Sequence, residues 1–286
     1  MKNELYIKVT KFIYFYADKR ISHSAAALAY YITLTLFPFL ICLNALLADT
    51  GFTIMSVLEQ MQGIIPSETA HALASYIRYI MDNDSPFLLT SGILLMITMS
   101  SAAFRVLMSA ISDTVGHVRY KGLIGFAASF ILAFGFVVAI YVSVIVMVAG
   151  QWLFAHLPQI PNVAMFFLSW RWSRFLIMFL FLYFAVLALF TASINYKKGQ
   201  GAIIGNGALL TSLILVGVSV IFSLAIELTT RYTVVYGSLA SVIVLMVWLF
   251  FCGNILILGG IVCGGYIHRD TDKRDQKTEE ISEYSE

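Results

Sequence analysis

The sequence predicts an all-α, polytopic membrane protein with six transmembrane helices and a small external helical cap. Hydrophobic residues make up 60% of the 286 residues and charged residues only 12%, whereas about 25% are charged in ordinary globular domains. A soluble fold of this size could not cover its surface with so few charges. Six stretches are also apolar enough, and long enough, to cross a hydrocarbon layer of about 30 Å.

The longest connection between the six predicted spans is the external segment after the first span. Residues 1–24 form a mixed polar and aromatic N-terminal segment, and no cleavable signal peptide is recognised there. Residues 268–286 are charged and poor in apolar side chains, which predicts a disordered tail. The spans are Ala25–Leu47, Phe87–Phe104, Leu123–Val148, Phe175–Ile194, Ala202–Ile226 and Gly237–Val262.

The distribution of basic residues predicts the orientation. Of the 18 Lys and Arg residues, fourteen lie in the N-terminal segment, the second and fourth connections and the tail. The other four lie in the first, third and fifth connections. Because basic residues accumulate on the cytoplasmic side, both termini are predicted to be cytoplasmic, with the protein in the plasma membrane.

The first connection, Ala48–Pro86, is the largest predicted soluble piece. Apolar residues recur at helical spacing on both sides of Pro66, which predicts two amphipathic helices. They would pack on the outer end of the bundle; a lid, or helices lying in the membrane interface, is the alternative. Between the third and fourth spans, an aromatic belt is predicted from Trp152, Phe154, Phe166, Phe167, Trp170 and Trp172.

Polar side chains inside the spans are the main functional clue. Asn44, Asn206 and Asn254 fall within the first, fifth and sixth spans, and an unpaired amide is costly in hydrocarbon. We therefore expect all three to face the bundle interior, and at least two to share a polar cavity. They would either join helices by hydrogen bonds or line a polar pathway. Arg105 and Glu227 are placed at span ends, where the charge can reach the interface.

Residues that shape the backbone also stand out. Pro38 interrupts the first span and predicts a bend next to the sixth span, because proline removes a helical hydrogen bond. The alanines at 25–27 and 29 precede it and permit close helix packing. Two G-x-x-x-G pairs favour the same tight packing: Gly201 and Gly205, and Gly260 and Gly264.

Several function classes lack support in the sequence. The five histidines form no metal-binding pattern, and no phosphate loop or nucleophile elbow occurs. The net charge of +2 and the scattered basic residues do not predict nucleic-acid binding. Cys42, Cys252 and Cys263 lie in apolar runs and are expected to be small buried hydrophobes. No enzyme activity, cofactor or metal is predicted.

Two groups of motifs resemble those of the YihY/virulence factor BrkB family of six-span inner-membrane proteins. The first comprises residues 24–31 (SAAALAYY) and 36–38 (LFP); the second comprises 236–243 (YGSLASVI), 248–249 (WL) and 258–259 (LG). The resemblance covers roughly residues 12–266. Where many members have Gly-Ala-Glu, this chain has Gly259-Gly260-Ile261, so no role of that acidic residue is transferred. Some members carry a ribonuclease BN label, which is not transferred either.

The sequence thus favours a non-enzymatic membrane protein that transports or exports a lipid or small solute. A structural or scaffold protein of the cell envelope is the alternative. Membrane lipids are the expected partners, and homo-oligomerisation stays open. The candidate pathway or helix-packing residues are Tyr30, Pro38, Asn44, Arg105, Asn206, Tyr236, Gly237 and Asn254.

Overall fold

The described part of the chain is built from α-helices, which confirms the all-α part of the predicted fold class. The structure is a computed structural model that describes residues 2–47, 74–79, 82, 85–115, 122–155, 163–197, 199–227 and 239–283. Residues 74–79 form a short helical stretch. The main helices are α1 (Lys2–Asp18), α2 (Ile21–Leu47), α3 (Pro86–Val115), α4 (Gly122–Ala155), α5 (Val163–Ser193), α6 (Gly201–Glu227) and α7 (Leu239–Glu283).

Five of the described helices are long and apolar enough to cross a membrane, against six predicted spans. They contain the segments Ile21–Leu43, Leu89–Val115, Leu123–Val142, Gly201–Ala225 and Val242–Thr271. Helix α5 adds a shorter apolar stretch, Phe179–Ser193. The protein is therefore a helical membrane protein with five candidate spans among its described residues.

The largest differences between the predicted boundaries and the observed helices occur at three places. The second span was ended at Phe104, yet α3 continues to Val115, because the residues after Arg105 remain largely apolar and helix-forming. Helix α5 begins at Val163, twelve residues before the predicted span. The tail from residue 268 was predicted to be disordered, but α7 runs on to Glu283. That tail contains no glycine or proline, and its lysine, arginine and glutamate residues are good helix formers.

The core is formed where α2, α3 and α7 meet, with α5 and α6 beside them. Ala25 and Leu28 of α2, Ile111 of α3 and Ile257 of α7 are almost completely buried there. Helix α4 lies at the edge, against α3 and α5. Its exposed leucine, isoleucine and phenylalanine side chains are suited to contact with lipid.

Glycines allow α7 to approach its neighbours closely. A Cβ added at Gly260 would lie 2.6 Å from the Cδ1 atom of Ile111, and one added at Gly264 would lie 2.5 Å from the Cγ2 atom of Val115. Gly253 packs in the same way against Ala25 of α2. The predicted close packing by Gly260 and Gly264 is therefore confirmed. At Gly201, a Cβ would meet no atom of the described residues within 4 Å.

The second half of α2 contacts the short helical stretch 74–79. The Tyr76 hydroxyl donates a hydrogen bond to the Phe37 carbonyl oxygen at 3.4 Å, and the two rings meet edge to face at 5.1 Å. Burial, and secondarily the neighbouring Tyr79, raises the pKa of Tyr76, so its hydroxyl remains a donor. Most of the predicted cap, Ala48–Pro86, lies outside the described residues.

Candidate functional site: a polar layer within the helix bundle

Arg105 lies within helix α3, which continues beyond the predicted end of the second span to Val115. Within the apolar segment Leu89–Val115, it follows Leu89 by 16 residues and precedes Val115 by 10, roughly 15 Å at the helical rise. The side chain is half-buried. A charge at such a depth needs polar partners, because hydrocarbon solvates ions poorly.

Two serines and a phenylalanine supply the observed partners of Arg105. Its Nη1 atom donates to the Ser101 hydroxyl at 2.8 Å, one helical turn back along α3. The Ser101 and Ser129 hydroxyl oxygens are 3.3 Å apart, which links α3 to α4. The guanidinium carbon lies 4.7 Å from the centroid of the Phe126 ring, a cation–π geometry.

The direction of this hydrogen-bond chain follows from proton counting. The Ser129 hydroxyl donates to the Phe126 carbonyl oxygen at 2.7 Å, which uses its single proton. In the serine pair, Ser101 must therefore be the donor. The hydrogen-bond chain runs from Arg105 through Ser101 and Ser129 to the Phe126 carbonyl. Each acceptor in it receives its hydrogen bond from the arginine side, and the chain contains no carboxylate of the described residues to balance the arginine charge.

A second polar contact joins α1 to α7. The Tyr16 hydroxyl donates to the Oδ1 atom of Asn254 at 2.6 Å, across 238 residues of sequence. The Nδ2 atom of Asn254 donates to the Phe250 carbonyl oxygen at 2.8 Å. Asn254 is half-buried, and its amide is held by hydrogen bonds instead of facing lipid unpaired.

The two polar contacts lie at one depth of the bundle. Gly260 contacts Ile111 and Gly264 contacts Val115; both pairs are 149 residues apart, so α3 and α7 run parallel in that register. Arg105 and Asn254 are separated by the same 149 residues. We call this level, defined by Arg105, Ser101, Ser129, Tyr16 and Asn254, the polar layer.

The other predicted asparagines do not join this layer. Asn206 was expected to face the bundle interior, but it is exposed in the described chain, so that expectation is wrong. It lies five residues after Gly201, roughly 8 Å along α6, where headgroups and water can solvate an amide near a helix end. Asn44 lies in α2, and its side chain is outside the described residues.

The remaining predicted residues are spread over the fold. Tyr30 is exposed on α2, with its ring 5.4 Å from that of its neighbour Tyr31. Pro38 is buried within the continuous helix α2, and its bend remains a prediction. Tyr236 and Gly237 lie outside the described residues.

Sequence reasoning missed Gln200, which is completely buried between the start of α6 and the end of the apolar part of α7. Its Oε1 atom accepts from the Lys197 backbone N–H at 3.0 Å. Its Nε2 atom lies 3.0 Å from both the Asp270 carboxylate and the Thr271 hydroxyl. A single glutamine in a short loop forms no sequence motif. Only its hydrogen-bond partners in the fold identify it as a link between α6 and α7.

Metal-ligand side chains are not brought together in the part of the chain that the structure describes. There, no three His, Cys, Asp or Glu residues lie close enough to hold a metal ion. Cys42 and Cys263 are buried and Cys252 is half-buried, all as free thiols.

Comparison with known proteins finds one family that matches almost the whole chain. A profile of the family described as virulence factor BrkB matches residues 12–282. The chain is 26% identical over 238 residues to the Bacillus subtilis (strain 168) protein YfkH, whose name describes it only as ribonuclease-like. That match covers 82% of this chain and 86% of the relative. No solved structure matches the chain significantly.

Proposed function

The chain belongs to the virulence factor BrkB family, and from this premise we propose that it is a six-span plasma-membrane protein that transports or exports a lipid or a small solute. The polar layer carries the proposal. It places an arginine and an asparagine at one level of the bundle inside apolar helices, the arginine about ten residues before the Val115 end of α3. Ionisable residues within spans commonly mark substrate pathways.

The proposed topology has both termini in the cytoplasm and α5 as the fourth of six spans. The basic residues of the N-terminal segment, the 197–198 loop and the tail support this orientation. The 31 residues of α5 provide about 46 Å of helix, more than the hydrocarbon thickness.

Cysteine labelling of intact cells tests this topology. In a protein lacking Cys42, Cys252 and Cys263, Lys198→Cys is expected to react with a membrane-impermeant maleimide only after permeabilisation. Ser67→Cys is expected to react without it, because the first connection is proposed to be external. Labelling of position 198 in intact cells would contradict the proposed topology.

The proposed activity is movement rather than catalysis, and it is testable on the purified protein. In proteoliposomes, the parent protein is expected to move a fluorescent phospholipid between leaflets, or to release a trapped small solute, faster than protein-free vesicles do. An RNA-cleavage assay on the same preparation addresses the ribonuclease-like name of the Bacillus relative, and no cleavage is expected. Correctly folded protein that moves neither probe would contradict the proposal.

A structural role in the envelope is the second candidate, favoured by the close contacts of α7. Gly260 and Gly264 bring this helix against α3 so closely that an added methyl group would overlap its side chains, and Gly253 leaves little space against α2. Such packing suits a rigid scaffold as well as the fixed part of a transporter. The flux measurement separates the two roles, because a scaffold moves neither lipid nor solute.

A further inference from the structure

The direction of the Arg105 side chain differs from that of most arginines in membrane spans. Long basic side chains in spans usually extend toward the nearer interface. Here the guanidinium points back along α3 to Ser101, away from Val115. Phe126 and Ser129 lie three and six residues after Leu123, where the α4 segment Leu123–Val142 begins, roughly 5 Å and 9 Å along the helix. The charge is therefore held just inside the Leu123 end of that candidate span.

The guanidinium also retains binding capacity. Of its five N–H groups, one donates to an observed oxygen, that of Ser101. No carboxylate among the described residues pairs with Arg105, and the serine chain contributes only neutral hydroxyls. Phe126 covers one face of the guanidinium, so the free N–H groups lie in the edge directions, where a planar fork binds two oxygens of one anion.

The neighbouring surface shows from which side an anion could arrive. Phe126 and Phe130 of α4 are exposed, as is Ile131, so the groove between α3 and α4 borders an apolar surface suited to lipid. An anion that carries acyl chains can approach along this surface while its charged group pairs with Arg105. In a low-dielectric setting that pairing is much stronger than in water.

We propose that Arg105, fixed by Ser101 and Ser129 and covered by Phe126, is a phosphate-binding site in the α3–α4 groove. The phosphate belongs either to the headgroup of an anionic phospholipid or to free inorganic phosphate. The site lies close to the Leu123 end of the α4 candidate span, so a headgroup of the adjoining leaflet can reach it. The inference rests on the proposed function in naming this phosphate group as the chemical class of its cargo.

Equilibrium binding to the full-length protein in detergent tests the site. Native mass spectrometry would compare phosphatidylglycerol with phosphatidylcholine, and calorimetry would measure inorganic phosphate. The parent is expected to prefer phosphatidylglycerol or to bind phosphate. Arg105→Gln is expected to bind the same probe at least about tenfold more weakly, because hydrogen bonds to charged groups contribute about 1.5–3 kcal/mol. Arg78→Gln, an exposed arginine outside the bundle core, is the matched control and is expected to bind like the parent.

The outcomes identify the source of the phosphate. Arg105-dependent binding of phosphatidylglycerol alone assigns a lipid headgroup, and Arg105-dependent binding of inorganic phosphate assigns the free ion. Equal binding of both probes by the parent and Arg105→Gln would overturn the site. If Arg105→Gln does not fold, Ser101→Ala tests the site instead. This variant releases the guanidinium from its hydrogen bond and is expected to bind the probe more weakly than the parent. Unchanged affinity of Ser101→Ala would overturn the site.

The binding and flux measurements test the phosphate site and the proposed transport separately. Arg105-dependent binding by a protein that moves no lipid or solute would retain the site and reject the proposed transport. Flux by a protein whose binding ignores Arg105 would do the reverse.

Discussion

Alanine at Gly264 is expected to destabilise the helix bundle, whereas alanine at the adjacent Gly265 is expected to stabilise it slightly. The new Cβ at Gly264 would lie 2.5 Å from the Val115 Cγ2 atom, while at Gly265 it meets nothing in the described residues within 4 Å. Overpacking of this kind costs about 1–3 kcal/mol. At the open position, alanine gains up to about 1 kcal/mol of helix propensity over glycine.

Reversible unfolding in mixed micelles would measure both variants. The steric reason is tested by adding Val115→Ala to Gly264→Ala, since removal of the two γ-methyl groups leaves the new Cβ 3.3 Å from the Val115 Cβ atom. The double variant is expected to recover most of the lost stability. Equal stability of Gly264→Ala and Gly265→Ala would contradict the described contact between α3 and α7.

Helix packing in the last span could be predicted from sequence because its cause is local. Gly260 and Gly264 are four residues apart and so lie on one helix face, and small residues on one face indicate close approach by another helix. The pattern did not reveal the partner. Ile111 and Val115 of α3 carry no corresponding signal and are identified only in the fold.

The polar residues were harder to place because their surroundings are set by distant segments. Arg105 was treated as a span end since a charge ordinarily ends an apolar stretch, yet Ser101 and Ser129 allow the helix to continue around it. Asn206 was placed in the interior by the cost of an unpaired amide, but its position near the start of α6 removes that cost. The contact between Tyr16 and Asn254 joins residues 238 positions apart, which no local pattern encodes.

Leucine at Asn254 is expected to reduce lipid or solute movement at least about tenfold, a barrier increase of about 1.4 kcal/mol, because it removes a polar group of the layer that a polar cargo would cross. Leucine has a similar volume, so the bundle should still assemble. The loss of the hydrogen bond with Tyr16 is expected to lower stability by only about 0.6–1.7 kcal/mol. Asn206→Leu is the matched control, since this asparagine is exposed and lies outside the polar layer.

The rate of probe movement in proteoliposomes that contain equal amounts of folded parent, Asn254→Leu or Asn206→Leu protein tests the role of the polar layer most directly. Movement by the parent and Asn206→Leu, with loss in Asn254→Leu, is the expected result. Equal movement by all three proteins would contradict a pathway through the polar layer. Absence of movement in the parent, together with a stability loss confined to Asn254→Leu, would assign the hydrogen bond between Tyr16 and Asn254 to helix packing alone.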